Sequence, residues 1–172
     1  MEYDWTKFSK AVFIKAPKES VYRSWVNSSE ILKWYVAEST LISKDGVTRK
    51  SGEDMQISDT YRWKWHQDHS VEGTVLDLVE NEQIKFTFGK DQTRPNEEII
   101  VNILLREQHQ ITELTLEQTN MADTAEGHLS WHLSCNLGWS FFLTNLKSYI
   151  EFGNDLREHD QEKAFKSRAI SL

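Results

Sequence analysis

The stretch that most constrains this chain is LSWHLSCNLGWSFFLTNLKSYIEF, residues 129–152. Trp131, Cys135, Gly138, Trp139, Phe142, Leu146, Tyr149 and Ile150 recur there at steps of three and four. That spacing predicts one long helix with a wide, ring-rich face. Such a face has to be covered, and the segments ahead of it read as strands, so the helix has a sheet to lie across.

The strands are read from a period of two. Tyr61, Trp63 and Trp65 alternate with Arg62, Lys64 and His66, which puts all three rings on one side. A turn at Asp68-His69 leads to a strand over 71–79, and Glu80-Asn81-Glu82 makes the next turn. Ile84, Phe86 and Phe88 alternate with Lys85 and Thr87. After a longer loop from Gly89 to Asn96, Ile99, Val101, Ile103 and Leu105 share one face of a strand over 98–106. Leu114 and Leu116 do the same over 111–119. Short turns between neighbours predict an antiparallel meander with one continuously apolar face.

Ahead of the meander, residues 7–14 form a first strand and Pro17 opens a helix over 20–26. Asn27 or Ser28 caps a second short helix ending at Trp34, and 37–43 is another strand. Residues 44–59, with Gly46 and Gly52, are a hairpin or a loop. Gly153 stands where a helix C-cap glycine belongs. The expectation is an α+β fold in a single domain over 1–172, with 1–6 and 158–172 as peripheral tails.

Only 38% of the 172 residues are hydrophobic, but 12% are aromatic and seven are Trp, so the interior is built from few, large side chains. Large rigid rings fill cores and also line concave apolar sites. The net charge of −7, with 20 basic and 27 acidic side chains, leaves no basic stripe for nucleic acid or an anionic membrane. The single cysteine, Cys135, excludes an intramolecular disulfide and fits a reducing compartment. The N-terminal residues lack the pattern of a secretory signal, and no stretch is long and apolar enough to span a bilayer. A soluble cytoplasmic protein is expected.

Three stretches resemble one family. They are IKAPKESVYRSWVNSSEILKWYVAES (14–39), EGTVLDLVENEQIKFTFG (72–89) and GWSFFLTNLKSYIEFGNDLR (138–157). Their order and spacing resemble the START-like superfamily, also called SRPBCC, helix-grip or birch-pollen-allergen-like. Within it they resemble the branch named for the activator of heat-shock protein 90 ATPase. The resemblance implies a curved antiparallel sheet of about six or seven strands wrapped around a long C-terminal helix, with two short helices after the first strand. It also implies an apolar cavity between sheet and helix.

Ten residues are candidates to line that cavity: Tyr61, Trp63, Trp65, Phe86, Phe88, Trp131, Cys135, Trp139, Phe142 and Tyr149. Tyr61, Asn145 or Tyr149 would orient a guest. The competing reading is that the rings simply fill the space, since a void forfeits packing worth ~24 cal/mol per Å³. Gly138 lies mid-helix at a cost of ~1 kcal/mol against alanine, and close packing on the sheet is the expected compensation. His128 and His132 have an i, i+4 spacing that suits a metal, but no third ligand accompanies them, so neither metal nor cofactor is expected. Cys135 reads as a small hydrophobe. No nucleophile elbow, phosphate-binding loop or dinucleotide fingerprint occurs.

The first functional reading is therefore non-enzymatic binding of a small hydrophobic or aromatic molecule, a lipid among them, in a stress-related setting. A protein-interaction module acting on a chaperone is the alternative that the resemblance implies. A cyclase- or hydrolase-like enzyme comes third, because the inward pattern offers almost no acid or base.

Overall fold

In the computed structural model, residues 3–65, 69–90 and 97–160 are described. Asp68 of the expected Asp68-His69 turn, the 91–96 part of the long loop and the tail beyond residue 160 lie outside them. Seven strands run β1 (Phe8–Ile14), β2 (Glu38–Ile42), β3 (Thr60–Lys64), β4 (Ser70–Val79), β5 (Gln83–Lys90), β6 (Glu98–Gln108) and β7 (Ile111–Thr119). They form one antiparallel sheet in the order β1-β7-β6-β5-β4-β3-β2. The meander from β2 to β7 thus takes β1 back alongside its last strand.

The period-two pattern sets which face is covered. Ile99, Val101, Ile103 and Leu105 on β6 are buried, as are Leu114 and Leu116 on β7. The register shifts between Val75 and Asp77 on β4 and between Thr87 and Lys90 on β5. Irregularities of this kind bend a strand and raise its local twist, which curves the sheet towards the covering helix.

Helix α1 (Lys18–Val26) begins just after Pro17, and the free Lys18 N–H donates to the Glu107 carboxylate at 2.9 Å. The Asn27 side chain accepts from the N–H groups of Ser29 and Glu30 and so launches the 3-10 turn Ile31–Lys33. This single 3-10 turn is the second short helix expected after the first strand.

Residues 44–59 are anchored at several points. Gly46 takes a left-handed φ in a tight turn where its N–H donates to Ser43, and Met55 is buried with its N–H on the Val26 carbonyl. The buried Asp59 accepts both Arg49 Nε and Nη2, at 2.5 and 2.8 Å.

The covering helix differs from the expectation in one respect. It opens as a π-helical segment (Gly127–Leu133) and becomes regular only in α2 (Ser134–Phe152). The wide turns fall where Trp131 seats on the sheet and His132 is tied to the N-terminal segment, with Nε2 against the Tyr3 hydroxyl at 2.8 Å and Nδ1 against the Trp5 carbonyl at 3.0 Å. A period of 3.6 cannot anticipate a change of pitch of this kind. Gly153 ends α2 in the left-handed conformation, with its N–H on Tyr149 and that of Asn154 on Ser148. Among the described residues, no helix is long and apolar enough to cross a membrane.

Candidate functional site

The α2 backbone runs closest to β1. Towards β3, β4 and β5 the gap widens, and large rings bridge it. Phe88 meets Trp139 with centroids 5.3 Å apart, and Trp65 reaches Phe142 at 6.4 Å. Tyr61 stacks on Trp63 at 3.8 Å, and Trp63 meets Phe86 edge-on at 5.3 Å.

Two glycines make this arrangement possible. A Cβ on Gly73 would lie 2.2 Å from the Thr87 carbonyl oxygen and 2.6 Å from the Tyr61 hydroxyl oxygen. Its absence lets the Tyr61 ring cross β4 and donate to Thr87 O at 2.5 Å. A Cβ on Gly89 would lie 2.9 Å from the tip of Trp131, so that ring closes down on bare backbone.

The centre of the gap is held by Tyr35, which the periodic patterns do not nominate. Its ring is within 5.5 Å of five others: Phe142 at 4.9 Å, Trp34 at 5.1 Å, Trp65 at 5.2 Å, Trp139 at 5.3 Å and Trp63 at 5.4 Å. Trp25 and Trp34 extend the same cluster from α1 and the 3-10 turn. The signal in the sequence was the run Trp34-Tyr35-Val36, three bulky apolar residues in a connection where polar ones are usual, and all three are buried.

Nine of the ten candidates gather around this gap. Tyr61, Trp63, Phe86, Phe88 and Trp139 are buried, while Trp65, Trp131, Cys135 and Phe142 are part-exposed at its mouth. Tyr149 stands apart, with its hydroxyl on the Glu30 carboxylate at 3.0 Å. The groups expected to orient a guest are engaged with the scaffold. Asn145 donates to Trp34 O at 2.6 Å and accepts from Leu156 N–H at 2.6 Å. Trp139 Nε1 donates to Gln118 Oε1 at 2.8 Å.

Four buried polar atoms, by contrast, have no partner among the described residues: Nε1 of Trp25, Trp63 and Trp65, and Oγ of Ser39. Ser39 faces Trp63 directly across the β2–β3 pair, so three of these groups lie at the β2–β3 end of the gap.

Burial pushes the Tyr35 and Tyr61 phenols well up and the Cys135 thiol up to about 11. All three are neutral near pH 7, and Cys135 is not a thiolate nucleophile. His128 stacks on Trp5 and its Nε2 lies 2.6 Å from Asp123, so the two helix histidines are committed to different partners. Among the described residues, no group of three or more His, Cys, Asp or Glu is placed to hold a metal ion.

Gly138 corrects an expectation. A Cβ there would meet nothing within 4 Å, so this glycine is not a close-packing device against the sheet. A separate open cleft of about 360 Å³ lies where α1 meets the β4–β5 and β6 strand ends, lined by Lys18, Val79, Glu82 and Arg106 among others. It shares no residue with the ring cluster.

The sequence profile of the family described as Activator of Hsp90 ATPase homolog 1-like protein matches residues 15–151. The chain belongs to this family. Solved structures give the same fold. A Staphylococcus saprophyticus protein is 20% identical with a TM-score of 0.66, the match covering 88% of this chain and 96% of that one. The Aha1 dimer from Colwellia psychrerythraea is 17% identical with a TM-score of 0.67, covering 86% and 98%. An HSP90 activator from Plasmodium falciparum is 14% identical with a TM-score of 0.61, covering 86% and 96%. These are similarities of fold, and the family is an α+β helix-grip one. No curated protein sequence matches the chain.

Proposed function

We propose that this domain binds a small hydrophobic or aromatic molecule carrying a hydrogen-bond acceptor, at the Trp63–Trp65–Phe142 end of the gap between sheet and α2. The observation that carries this reading is the set of unpartnered donors, Trp63 Nε1, Trp65 Nε1 and Ser39 Oγ, beside part-exposed rings. A buried donor without an acceptor costs roughly 1–3 kcal/mol, so a guest that offers an acceptor there gains more than its apolar area. Tyr35 fills the middle of the gap, so the guest sits against its outer edge and Phe142 rather than in a large empty chamber. A rigid ring suits these walls better than a lipid chain, because it recovers ring–ring contact at a smaller ordering cost.

A matched pair of probes tests the reading. 2-Acetylnaphthalene and 2-ethylnaphthalene have nearly the same shape, but only the ketone carries a strong acceptor. The ketone is expected to quench tryptophan fluorescence and raise the melting temperature, with several-fold higher affinity than the hydrocarbon. Trp65→Phe is expected to keep the ring contact and erase the preference. If neither probe shifts the fluorescence or the melting temperature at its solubility limit, the reading fails.

A second reading, a module acting on a chaperone ATPase, is supported by the family membership and by the likeness to an HSP90 activator. The net charge of −7 would favour a basic partner surface. Stimulation of a purified chaperone ATPase tests it, and no detectable complex at tens of micromolar ends it. An acid–base enzyme is the weakest reading, because the gap's own ionisable groups, Tyr35, Tyr61 and Cys135, are all held neutral by burial. A reducing cytoplasmic setting agrees with the lone Cys135.

A further inference from the structure

The π-helical start of the covering helix turns two neighbouring faces to two different partners. On one face Trp131 meets the sheet, its ring tip 2.9 Å from where a Cβ on Gly89 would lie. Val71 Cγ1 is 3.7 Å from the same point, and Val71 pairs with Trp63 across β3–β4. The Trp131 ring therefore closes the gap on the side where Trp63, Trp65 and Phe88 lie. On the other face His128 and His132 meet the chain ahead of β1. Trp5 stacks on His128 at 4.4 Å and meets His132 at 5.1 Å. A carbonyl only accepts, so His132 Nδ1 donates to Trp5 O at 3.0 Å, and in the neutral ring Nε2 accepts from the Tyr3 hydroxyl at 2.8 Å.

This strap, residues 3–7, is folded in its own right. Asp4 accepts from both the N–H and the hydroxyl of Thr6, and Thr6 O accepts from Met121 N–H at 3.1 Å. It is a fixed body against which the two histidines are held. A π-helical winding is rare, and it persists where surrounding contacts over-determine it. Here the Leu129 and Ser130 carbonyls are taken up by Ser134 Oγ at 2.8 Å and Cys135 Sγ at 3.9 Å. Released from the strap, the segment is free to rewind as α-helix. Each residue of shift turns a helix face by about 100°, which carries Trp131 off Gly89.

We propose that the strap is a latch: residues 3–7 hold Gly127–Leu133 in the winding that keeps Trp131 closed over the gap, and a guest enters when that hold is released. The passage of a guest rests on the binding reading above, whereas the hold on the helix does not. The rings of Tyr3 and Trp5 pack on each other and on the two histidines. The latch therefore adds no wall to the site, and it governs entry and exit alike rather than affinity.

Cys135, one turn beyond Trp131, reports the opening without a guest. Combining Tyr3→Ala with Trp5→Ala is expected to speed its alkylation by N-ethylmaleimide at least about tenfold, in urea too dilute for global unfolding to contribute. The backbone amides of 129–133 should exchange faster by a similar factor, and those of 143–149 at the parent rate. Tyr3→Phe, which removes one hydroxyl, should show the same changes on a smaller scale. Trp131→Ala should also speed alkylation, and adding the strap substitutions to it should change little more, since both act through one closure. With 2-acetylnaphthalene, stopped-flow quenching should show faster association and faster dissociation in the strap variant, with Kd kept within about threefold.

Unchanged alkylation and exchange in the strap variants overturn the inference. So does faster exchange spread equally over 143–149, which makes the strap a general support of the fold. Full multiplication of the strap and Trp131→Ala effects overturns it too, as does faster dissociation with unchanged association, the mark of a binding wall. If no variant binds the probe but the strap substitutions still open 129–133 alone, the latch stands and the binding reading falls.

Discussion

The rings of Tyr35 and Trp139 stack 5.3 Å apart and 15° from parallel. One belongs to the connection after the 3-10 turn and the other to the middle of α2, so this stack is one of the contacts that join the two covering elements above the sheet. The Trp63, Trp65 and Phe142 rings pack around this pair, which makes Tyr35 the residue that decides how much of the gap is protein.

Tyr35→Ala should therefore be the costliest single truncation in the cluster. Removing a fully buried ring with little room for collapse is expected to destabilise by about 3–5 kcal/mol. The space left behind should admit benzene or indole, as apolar cavities of this kind do. Urea unfolding measures the loss, and a rise in melting temperature with indole, absent in the parent, measures the cavity. A loss below about 1 kcal/mol would mean that the surrounding rings close over the site and that Tyr35 is not its central support.

What the sequence made legible follows its periodicities. The alternation of Tyr61, Trp63 and Trp65, and of Ile99, Val101, Ile103 and Leu105, put the right side chains on the covered face because a strand has only two faces to choose from. Gly153 was readable as a C-cap because few residues tolerate its φ of 71°. Tyr35 was not readable as the centre, because it lies in a connection where no period applies. The roles of Gly73 and Gly89 depend on rings that approach from another strand or helix, and no local pattern records such an approach.

Asn145 is expected to behave as a structural tie between α2, the 3-10 turn region and the residues after α2. It is fully buried, and its amide donates to Trp34 O and Asp155 Oδ1 while its carbonyl accepts from Leu156 N–H. Asn145→Leu keeps the volume but strands these partners, and a loss of about 2–4 kcal/mol is expected in denaturant unfolding. Asn145→Asp sets a carboxylate against Asp155, so its penalty should be larger at pH 7 than at pH 3.

Asp155 predicts a pH dependence with a definite sign. Burial works against its charge, but hydrogen bonds from Arg157 and Asn145 overcome it and hold the carboxyl down from 3.8 to about 2. Arg157 is itself fixed on Val36 O and Leu32 O, which keeps the pair in register. A carboxyl lowered on folding contributes stability that is complete above its unfolded value and lost as pH falls through the folded one. The window is therefore pH 4 down to pH 2. With the Asp155 side chain 22% exposed, the contribution is expected to be about 1–2 kcal/mol. Asp155→Asn should lose that amount at pH 7 and flatten the stability profile between pH 4 and 2. A variant whose acid profile overlays that of the parent would show that other carboxyls carry the transition.

Two glycines give opposite predictions for the same substitution. At Gly73 an added methyl meets the Thr87 carbonyl oxygen at 2.2 Å and the Tyr61 hydroxyl at 2.6 Å, and the first of these is backbone that cannot swing away. Gly73→Ala must either separate β4 from β5 or expel the Tyr61 ring, with a cost of about 3 kcal/mol or more. At Gly138 the methyl enters open space in a regular helix, so Gly138→Ala should stabilise the fold by about 0.5–1 kcal/mol through the chain's lower unfolded entropy and better helix propensity. Thermal unfolding of both variants makes the comparison. Gly73→Ala should also dim the Tyr61–Trp63 stacking signal in the near-ultraviolet circular dichroism, while Gly138→Ala leaves it intact. If Gly138→Ala destabilises the chain under these conditions, the helix is closer to the sheet there than 4 Å of clearance allows. The glycine would then be a packing device after all.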